Sequence, residues 1–588
     1  MKKHNNHLLL VFFLFPSLWG GLGWSLDEVV SAQPTYTWAK NIGSTGKKES
    51  TSITVDGNGN VYITGSFTST ADFDPGAGTA NLSPVGNYDV FFAKYDASGT
   101  YLWAKNIGST GADASYSIAV DGNGNVYITG SFTGTADFDP GAGTANLTSV
   151  GFGDIFFAKY DASGAYVWAK STGSISSDIS YSIAVDGSGN VYITGAFTGT
   201  ADFDPGAGTL NLTSVGLEDI FFAKYDASGA YLWAKNIGSI GSDISYGIAV
   251  DGSGNVFITG AFTGTADFDP AAGTANLTSI GGIDIFFAKY DASGSYFWAK
   301  NIGSTGYDYA SSITVDGSSN VFITGSLDGT ADFDPGAGTA NLSSVGGPDT
   351  FFAKYDASGV YLWANLIASA TSFGSSIAVD GSGNVFITGY FTTIADFDPG
   401  AGTAIITLTG TASDIFFAKY NASGAYLWAQ NIGSTQSDIG QSIAVDGSAN
   451  VYITGQFTGT ADFDPGAGTA NLTSVGNTSD IFFAKYGGGV TGVEHPFFAA
   501  PDIIVYPNPA SGKFRLSLPL SLSQGGVVTD KEGTLEVYSV IGEKIFSSPV
   551  GGGSEWALDL SAQPDGIYFL NIKTKNGSFP QKIIIQNP

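Results

Sequence analysis

The chain of 588 residues contains no cysteine, one methionine and three histidines, and a single arginine, Arg515, among its 23 basic residues. Without cysteine there is neither a disulfide framework nor a thiolate metal site, so stability must come from packing and closure. The histidines stand only at positions 4, 7 and 495. Ser-His-Asp, Cys-His and histidine-metal chemistry is therefore excluded from the long stretch between them. The scarcity of arginine, with a formal charge of −29, removes the guanidinium forks and basic patch that phosphate, nucleic acid or an anionic lipid surface would need.

What is abundant points the other way. Glycine (83 residues), together with Ser, Thr, Asn and Asp and an aromatic content of 14%, suits many short strands joined by tight turns. The class is all-β. A unit of about 65 residues recurs seven times: Trp-Ala begins at Trp38, Trp103, Trp168, Trp233, Trp298, Trp363 and Trp428, and Ala-Asp-Phe-Asp-Pro begins at Ala71, Ala136, Ala201, Ala266, Ala331, Ala395 and Ala461.

In the second copy, four strands are expected at 117–120, 125–132, 154–160 and 165–170, forming two hairpins whose apolar residues occupy both parities. Both faces of each sheet are then covered. A four-stranded sheet repeated radially with both faces buried is a propeller blade, and seven copies predict a seven-bladed β-propeller. The phase of the array matters. Residues 35–41 (TYTWAKN) are fourth-strand sequence, whereas the array ends on third-strand sequence at 481–486 (IFFAKY), so the N-terminal strand is expected to complete the last blade.

The flanks differ from the array. Lys2 and Lys3, an apolar run too short to span a bilayer, and Val30-Ser31-Ala32 read as a signal peptide over residues 1–32. The propeller then occupies residues 33–486 and a linker 487–501. Residues 502–588 read as short strands of a separate small β-sandwich.

The repeat IAVDGNGNVYITG followed by FFAKYDASGAYLWAK resembles the bacterial β-propeller repeat family called SBBP, a resemblance that covers all seven units and implies a propeller and an exported protein, but no catalytic residues. The C-terminal segment resembles the sorting domain of type IX secretion substrates of Bacteroidota. The residues that carry this are Tyr506, Pro507, Asn508 and Pro509, then Gly512, Gly542, Gly566, Tyr568 and Lys582. By this resemblance the domain is an address read by the type IX secretion machinery, and the protein is secreted or held at the outer cell surface.

The sharpest polar motif is Asp-Phe-Asp-Pro, with carboxylate pairs at Asp72 and Asp74, Asp137 and Asp139, Asp202 and Asp204, Asp267 and Asp269, Asp332 and Asp334, Asp396 and Asp398, and Asp462 and Asp464. Two carboxylates two residues apart can face one Ca2+, with carbonyls, hydroxyls or water completing its shell. Asp-Pro-Gly is equally good turn chemistry without a metal. Asp121 and Asp161 begin hairpin turns and read as structural. Trp103 and its counterparts read as blade packing, and Lys159 is expected to snorkel or to pair with a neighbouring blade's aspartate.

Second-to-third and fourth-to-first connections share one face of such a ring. The copies differ most there, at residues 46–52, 111–117, 176–182, 305–311 and 369–375 and at 87–88, 217–218 and 347–348. Three functions fit. The chain is a binding or scaffold module for protein or polysaccharide acting through this loop face without catalysis; a calcium-stabilised surface protein without a specific ligand; or a carboxylate-dependent polysaccharide-degrading enzyme. A monomer is expected.

Overall fold

The computed structural model describes residues 33–476, 478–487, 504–506, 510–511, 513–517, 533–539, 543–550, 555–574 and 577–586. The expected signal peptide and nearly all of the linker lie outside these residues, as do Pro507, Asn508, Pro509, Gly512 and Gly542. No helix occurs among the described residues.

The repeats fold as seven antiparallel sheets built on four strands each; six are simple meanders, one of them extended at its outer edge by the short strands Ala395–Asp396 and Ile405–Ile406, and the seventh takes its outer strand from the N-terminus. In the third sheet the strands are Ile179–Val185, Val191–Phe197, Asp219–Tyr225 and Tyr231–Ile237, running from inner to outer edge. Every residue of Val191–Phe197 is buried, which explains why apolar side chains occupy both parities. Seven buried clusters each span two successive sheets, and one of them joins the seventh to the first through Tyr452, Ile481, Phe483, Phe91 and Ala93. The innermost strands likewise contact one another in sequence, with Ile439–Val445 meeting Lys48–Val55.

Closure occurs through the N-terminal strand, as its phase predicts. Thr35–Ile42 pairs antiparallel with Asp480–Gly487 as the outer strand of the seventh sheet. Trp38 then behaves like the other repeat tryptophans. Its ring packs edge-on against Tyr452 and Phe483, and its Nε1–H donates to the Ala97 carbonyl of the first sheet at 3.2 Å. The same bond links Trp103 to Ala162 at 3.2 Å, beside Gly164, whose φ of +76° closes the hairpin and whose missing Cβ leaves room for the indole. Blade packing thus accounts for these tryptophans. The ammonium of Lys159 lies 5.0 Å over the ring of Tyr127, its ladder neighbour, a contact that neither of its two expected courses named.

Two further features were not legible in the pattern. The inner strand of the second sheet starts at Ala114, three residues before its expected start, because a bulge between Ser115 and Ser117 breaks the period of two. The second-to-third connection contains a short ribbon, Thr135–Asp137 with Asn146–Thr148, so the aspartate motif lies in a hairpin of its own.

The residue after each bulge ties neighbouring sheets together. Ser52, Ser117, Ser182, Ser312, Ser376 and Ser442 each accept, on Oγ, the backbone N–H of an isoleucine in the next sheet at 3.2–3.4 Å. Gly247 stands at the seventh position, and Ile313 receives no such acceptor. Gly247→Ser is expected to stabilise the protein by about 1 kcal/mol, read as a rise in Tm of about 2 °C or less.

In the C-terminal region, a three-stranded sheet (Ile504–Tyr506, Lys513–Ser517, Glu555–Asp559) and a four-stranded sheet (Gly533–Ser539, Lys544–Val550, Gly566–Thr574, Gly577–Ile585) share one buried cluster. Phe514, Leu516 and Leu558 meet Val537, Leu570 and Ile583 there. Tyr568 is buried, with its hydroxyl donating to the Pro564 carbonyl at 2.8 Å.

Candidate recognition face

The aspartate pairs lie in the ribbons, beside outer strands and away from the ring axis, as the bridges Gly108 to Asp137 and Gly173 to Asp202 show. Asp72 Oδ1 accepts the backbone N–H groups of Asp74 at 3.0 Å and Ala80 at 2.7 Å, and Asp74 Oδ1 accepts that of Gly76 at 2.8 Å. The same three bonds recur at Asp137 and Asp139, Asp202 and Asp204, Asp267 and Asp269, Asp332 and Asp334, Asp396 and Asp398, and Asp462 and Asp464. These carboxylates organise their own turns. The phenylalanine between them is buried, and its carbonyl accepts the hydroxyl of the tyrosine ending the third strand, as from Tyr95 to Phe73 at 3.0 Å. Among the described residues no group of three or more His, Cys, Asp or Glu is placed to hold a metal ion. Titration of calcium into the mature protein tests the metal reading: saturable heat with a calcium-dependent rise in Tm would support it, and the absence of both would retire it.

Asp396 differs from its counterparts. It is almost fully buried, and its Oδ2 lies 3.1 Å from the ammonium of Lys582, one of the residues that carry the sorting-domain resemblance.

The variable connections do share one face. Paired backbone bonds join them: Asn87 N–H to the Gly111 carbonyl and Asp113 N–H to Tyr88, then Leu217 to Gly241 and Asp243 to Glu218. Beneath them lies a layer of buried acids. Asp89 accepts N–H groups of Val85 and Gly86 at 2.8 and 3.2 Å, while Asp113 accepts those of Ser109 and Thr133 at 2.6 and 2.9 Å. Asp154 with Asp178, Asp219 with Asp243, Asp284 with Asp308 and Asp414 with Asp438 repeat the arrangement between successive sheets. Burial is the main cause that pushes these carboxyls up, with the facing acid adding to it: Asp154, Asp219 and Asp438 reach about 6. Asp349, which faces Ser372 in place of an acid, is pushed up to about 7 by burial.

Where the ring closes, the second acid is replaced by Lys48. Its fully buried ammonium lies 2.9 Å from Asp480 Oδ1 and donates to the carbonyls of Ser44, Gly46 and Ser479 at 2.9–3.0 Å. Burial pulls the lysine below its ordinary value and pushes Asp480 up, and the ion pair offsets part of both. Lys48→Met is expected to cost about 3–5 kcal/mol by stranding the Asp480 charge, and Lys48→Met with Asp480→Asn to recover most of it, read from urea midpoints.

Above the acids, the face carries exposed apolar side chains on the connections of several sheets, with Val85, Val150, Val215, Ile280 and Val475 at one repeat-equivalent position and Tyr307 beside the fourth sheet, and the second and third sheets add four more. Phe152 is 86% exposed, Ile175 75%, Leu217 65% and Ile240 84%, all on the connections of the second and third sheets and leading into the fourth. The corresponding positions in the first sheet are Asn87 and Thr110. Comparison between copies marked Leu217 and Glu218, but it missed Phe152, Ile175 and Ile240: Ile175 stands one residue before the marked stretch 176–182, whereas Phe152 and Ile240 lie on connections that it did not mark. The available signal was the replacement of Asn or Thr by a large apolar residue at a repeat-equivalent position.

Repeated four-stranded sheets, joined by cores that run from each to the next, define a β-propeller protein. Six stretches, residues 37–74, 102–138, 167–196, 232–261, 298–333 and 363–398, match the β-propeller repeat family SBBP, and residues 504–586 match the secretion system C-terminal sorting domain. The chain therefore carries SBBP propeller repeats and a sorting domain that directs export by type IX secretion to the cell surface or beyond. The seventh unit, which begins at Trp428, lies outside the matched stretches although its sheet has the same order. An uncharacterised WD repeat-containing protein of Acanthamoeba polyphaga mimivirus is 28% identical over 73% of this chain, and the regulatory protein FlaEY of Caulobacter vibrioides is 25% identical over 38%. The chain covers 36% and 23% of the lengths of these relatives. Among solved structures, a phage phi92 endosialidase is similar at a TM-score of 0.30 and 11% identity, over 83% of this chain and 75% of its own. A structural genomics protein of unknown function from Bacteroides thetaiotaomicron is similar at 0.26 and 12%, over 77% and 98%.

Proposed function

We propose that the seven sheets act as one closed seven-bladed propeller, exported with a small C-terminal β-sandwich as its address, and that it serves without catalysis as a recognition or scaffold module for protein or polysaccharide. The exposed apolar side chains of the loop face, densest where Phe152, Ile175, Leu217 and Ile240 add to the repeated Val150 and Val215, carry this reading. Large apolar side chains gathered on one part of a surface mark an interaction site, because exposing them to water is unfavourable unless a partner covers them. Their position on loops above a rigid layer of hydrogen-bonded carboxylates supports the same conclusion: the scaffold is constant and the presented residues vary. The Phe152→Ser and Ile240→Ser double variant tests it. Loss of surface retention or of partner binding at unchanged Tm is the expected result, and full retention with every partner of the parent protein would refute the reading.

A further inference from the structure

The bulge position of the innermost strand differs between copies. It holds Thr51, Tyr116, Tyr181, Tyr246, Ser311, Ser375 and Gln441 in successive sheets. The three tyrosines are therefore consecutive around the axis, near the end of each inner strand that leads to the loop face. Their rings touch, with centroids 5.3 Å apart from Tyr116 to Tyr181 and again from Tyr181 to Tyr246, at interplanar angles of 55° and 58°. All three remain partly exposed. The first residue of the strand extends the arc: Glu49 adjoins Tyr116 at one end, Tyr309 adjoins Tyr246 at the other, and Glu218 acts on both Tyr181 and Tyr246. Glu218 is itself held by the Ser242 hydroxyl at 2.6 Å.

This arrangement is not needed to build a sheet, since serine, threonine or glutamine occupies the same bulge in the other four. We propose that the Tyr116, Tyr181 and Tyr246 arc is a binding platform for a neutral, hydroxyl-rich saccharide entering the ring axis from the loop face. Contiguous phenol rings offer flat apolar surface for the carbon faces of a sugar ring, and their hydroxyls offer polar contacts along its edge. Glu49 and Glu218 are acceptors for sugar hydroxyls and repel anionic glycans, as does the charge of −29. Burial, then the neighbouring tyrosines and Glu218, hold Tyr181 above its ordinary value and Tyr246 at about 12, so both remain neutral donors at physiological pH. The platform rests on the loop-face reading, because it opens on that face.

The mature secreted protein is assayed against neutral glucan, mannan and xylan oligosaccharides, beside polyuronate, sulfated glycans and a lysine-rich peptide. Binding of a neutral saccharide that Tyr181→Ser weakens by roughly tenfold or more, and that Tyr181→Phe weakens less, is the expected result. Hydrogen exchange on the unmodified protein gives a second readout that does not depend on the variant folding: the saccharide should protect residues 114–120, 179–185 and 244–250. Binding only of anionic glycans or of the peptide, binding of no saccharide, or saccharide binding without that protection each overturns the platform. If Tyr181→Ser leaves binding intact while the Phe152→Ser and Ile240→Ser variant abolishes it, the platform falls and the loop-face reading stands.

Discussion

Tm is expected to be higher near pH 5 than near pH 8, because the buried acids beneath the loop face titrate in that interval. Asp154, Asp219 and Asp438 are raised from 3.8 to about 6, and Asp349 to about 7, with burial as the largest cause in each. For a carboxyl raised by folding, the folded state holds its proton more tightly than the unfolded chain does. The penalty is therefore absent below about pH 4, grows as pH climbs through the window between the two values, and is complete above the folded value. Shifts of this size are worth about 3 kcal/mol for each of the first three and about 4 for Asp349, a large share of ordinary domain stability even if only part is realised. The hairpin carboxylates oppose this at lower pH. Asp121 and Asp161 are held below the ordinary value, the first against its own burial by Asn125, Asn123 and Tyr127 and the second chiefly by Ser163. Their contribution is present above about pH 4 and lost as pH falls through their folded values, which places the stability maximum near pH 4 to 5. A calorimetric series across pH checks this. A Tm that stays flat or rises from about pH 5 to about pH 8 would contradict the assigned burial of these acids.

Removal of residues 35–42 is the second change of large expected effect. It strips the outer strand from the seventh sheet, exposes Asp480–Gly487 as a bare hydrophobic edge and removes Trp38 and Ile42 from the core between the seventh and first sheets. Each large side chain returned to water costs about 1.5–3 kcal/mol, before the lost ladder bonds are counted. Truncation also leaves the long third strand Asp480–Gly487 as a new edge, one suited to aggregation. We expect Tm to fall by on the order of 10 °C, or the protein to be recovered only as aggregate. Supplying residues 33–47 as a separate peptide should restore part of the loss. A truncated protein that melts as the parent does would show that the strand does not lock the ring.

Much of this architecture is readable in the linear chain. Both-parity apolar strands such as 191–197, turn signals at Asp121 and Asp161, and the offset between residues 35–41 and 481–486 each report a local or register requirement that every copy repeats. The ribbon escaped notice because its strands are only two or three residues long, too short for periodicity to register. The bulge escaped because it inserts one residue into the alternation, which makes the inner strand look shorter than it is. Asp89 and Asp113 carry no local signal at all: each sits in an ordinary loop sequence, and only their approach between sheets raises the cost of their charge. Lys48 at a position that is Asp in most copies was visible as a difference, but its meaning came with the ring.

The class of fold, the number of repeats and the strand that completes the last sheet follow from residue order alone, since they depend on spacing, turn chemistry and periodicity along the chain. Which acids face each other, why one seam carries an ion pair, how Tyr116, Tyr181 and Tyr246 come into contact, and where Phe152 and Ile240 gather depend on residues about 65 positions apart in sequence meeting across neighbouring sheets. Contacts of that range have no signature in local pattern. They exist only once the sheets have packed around the axis.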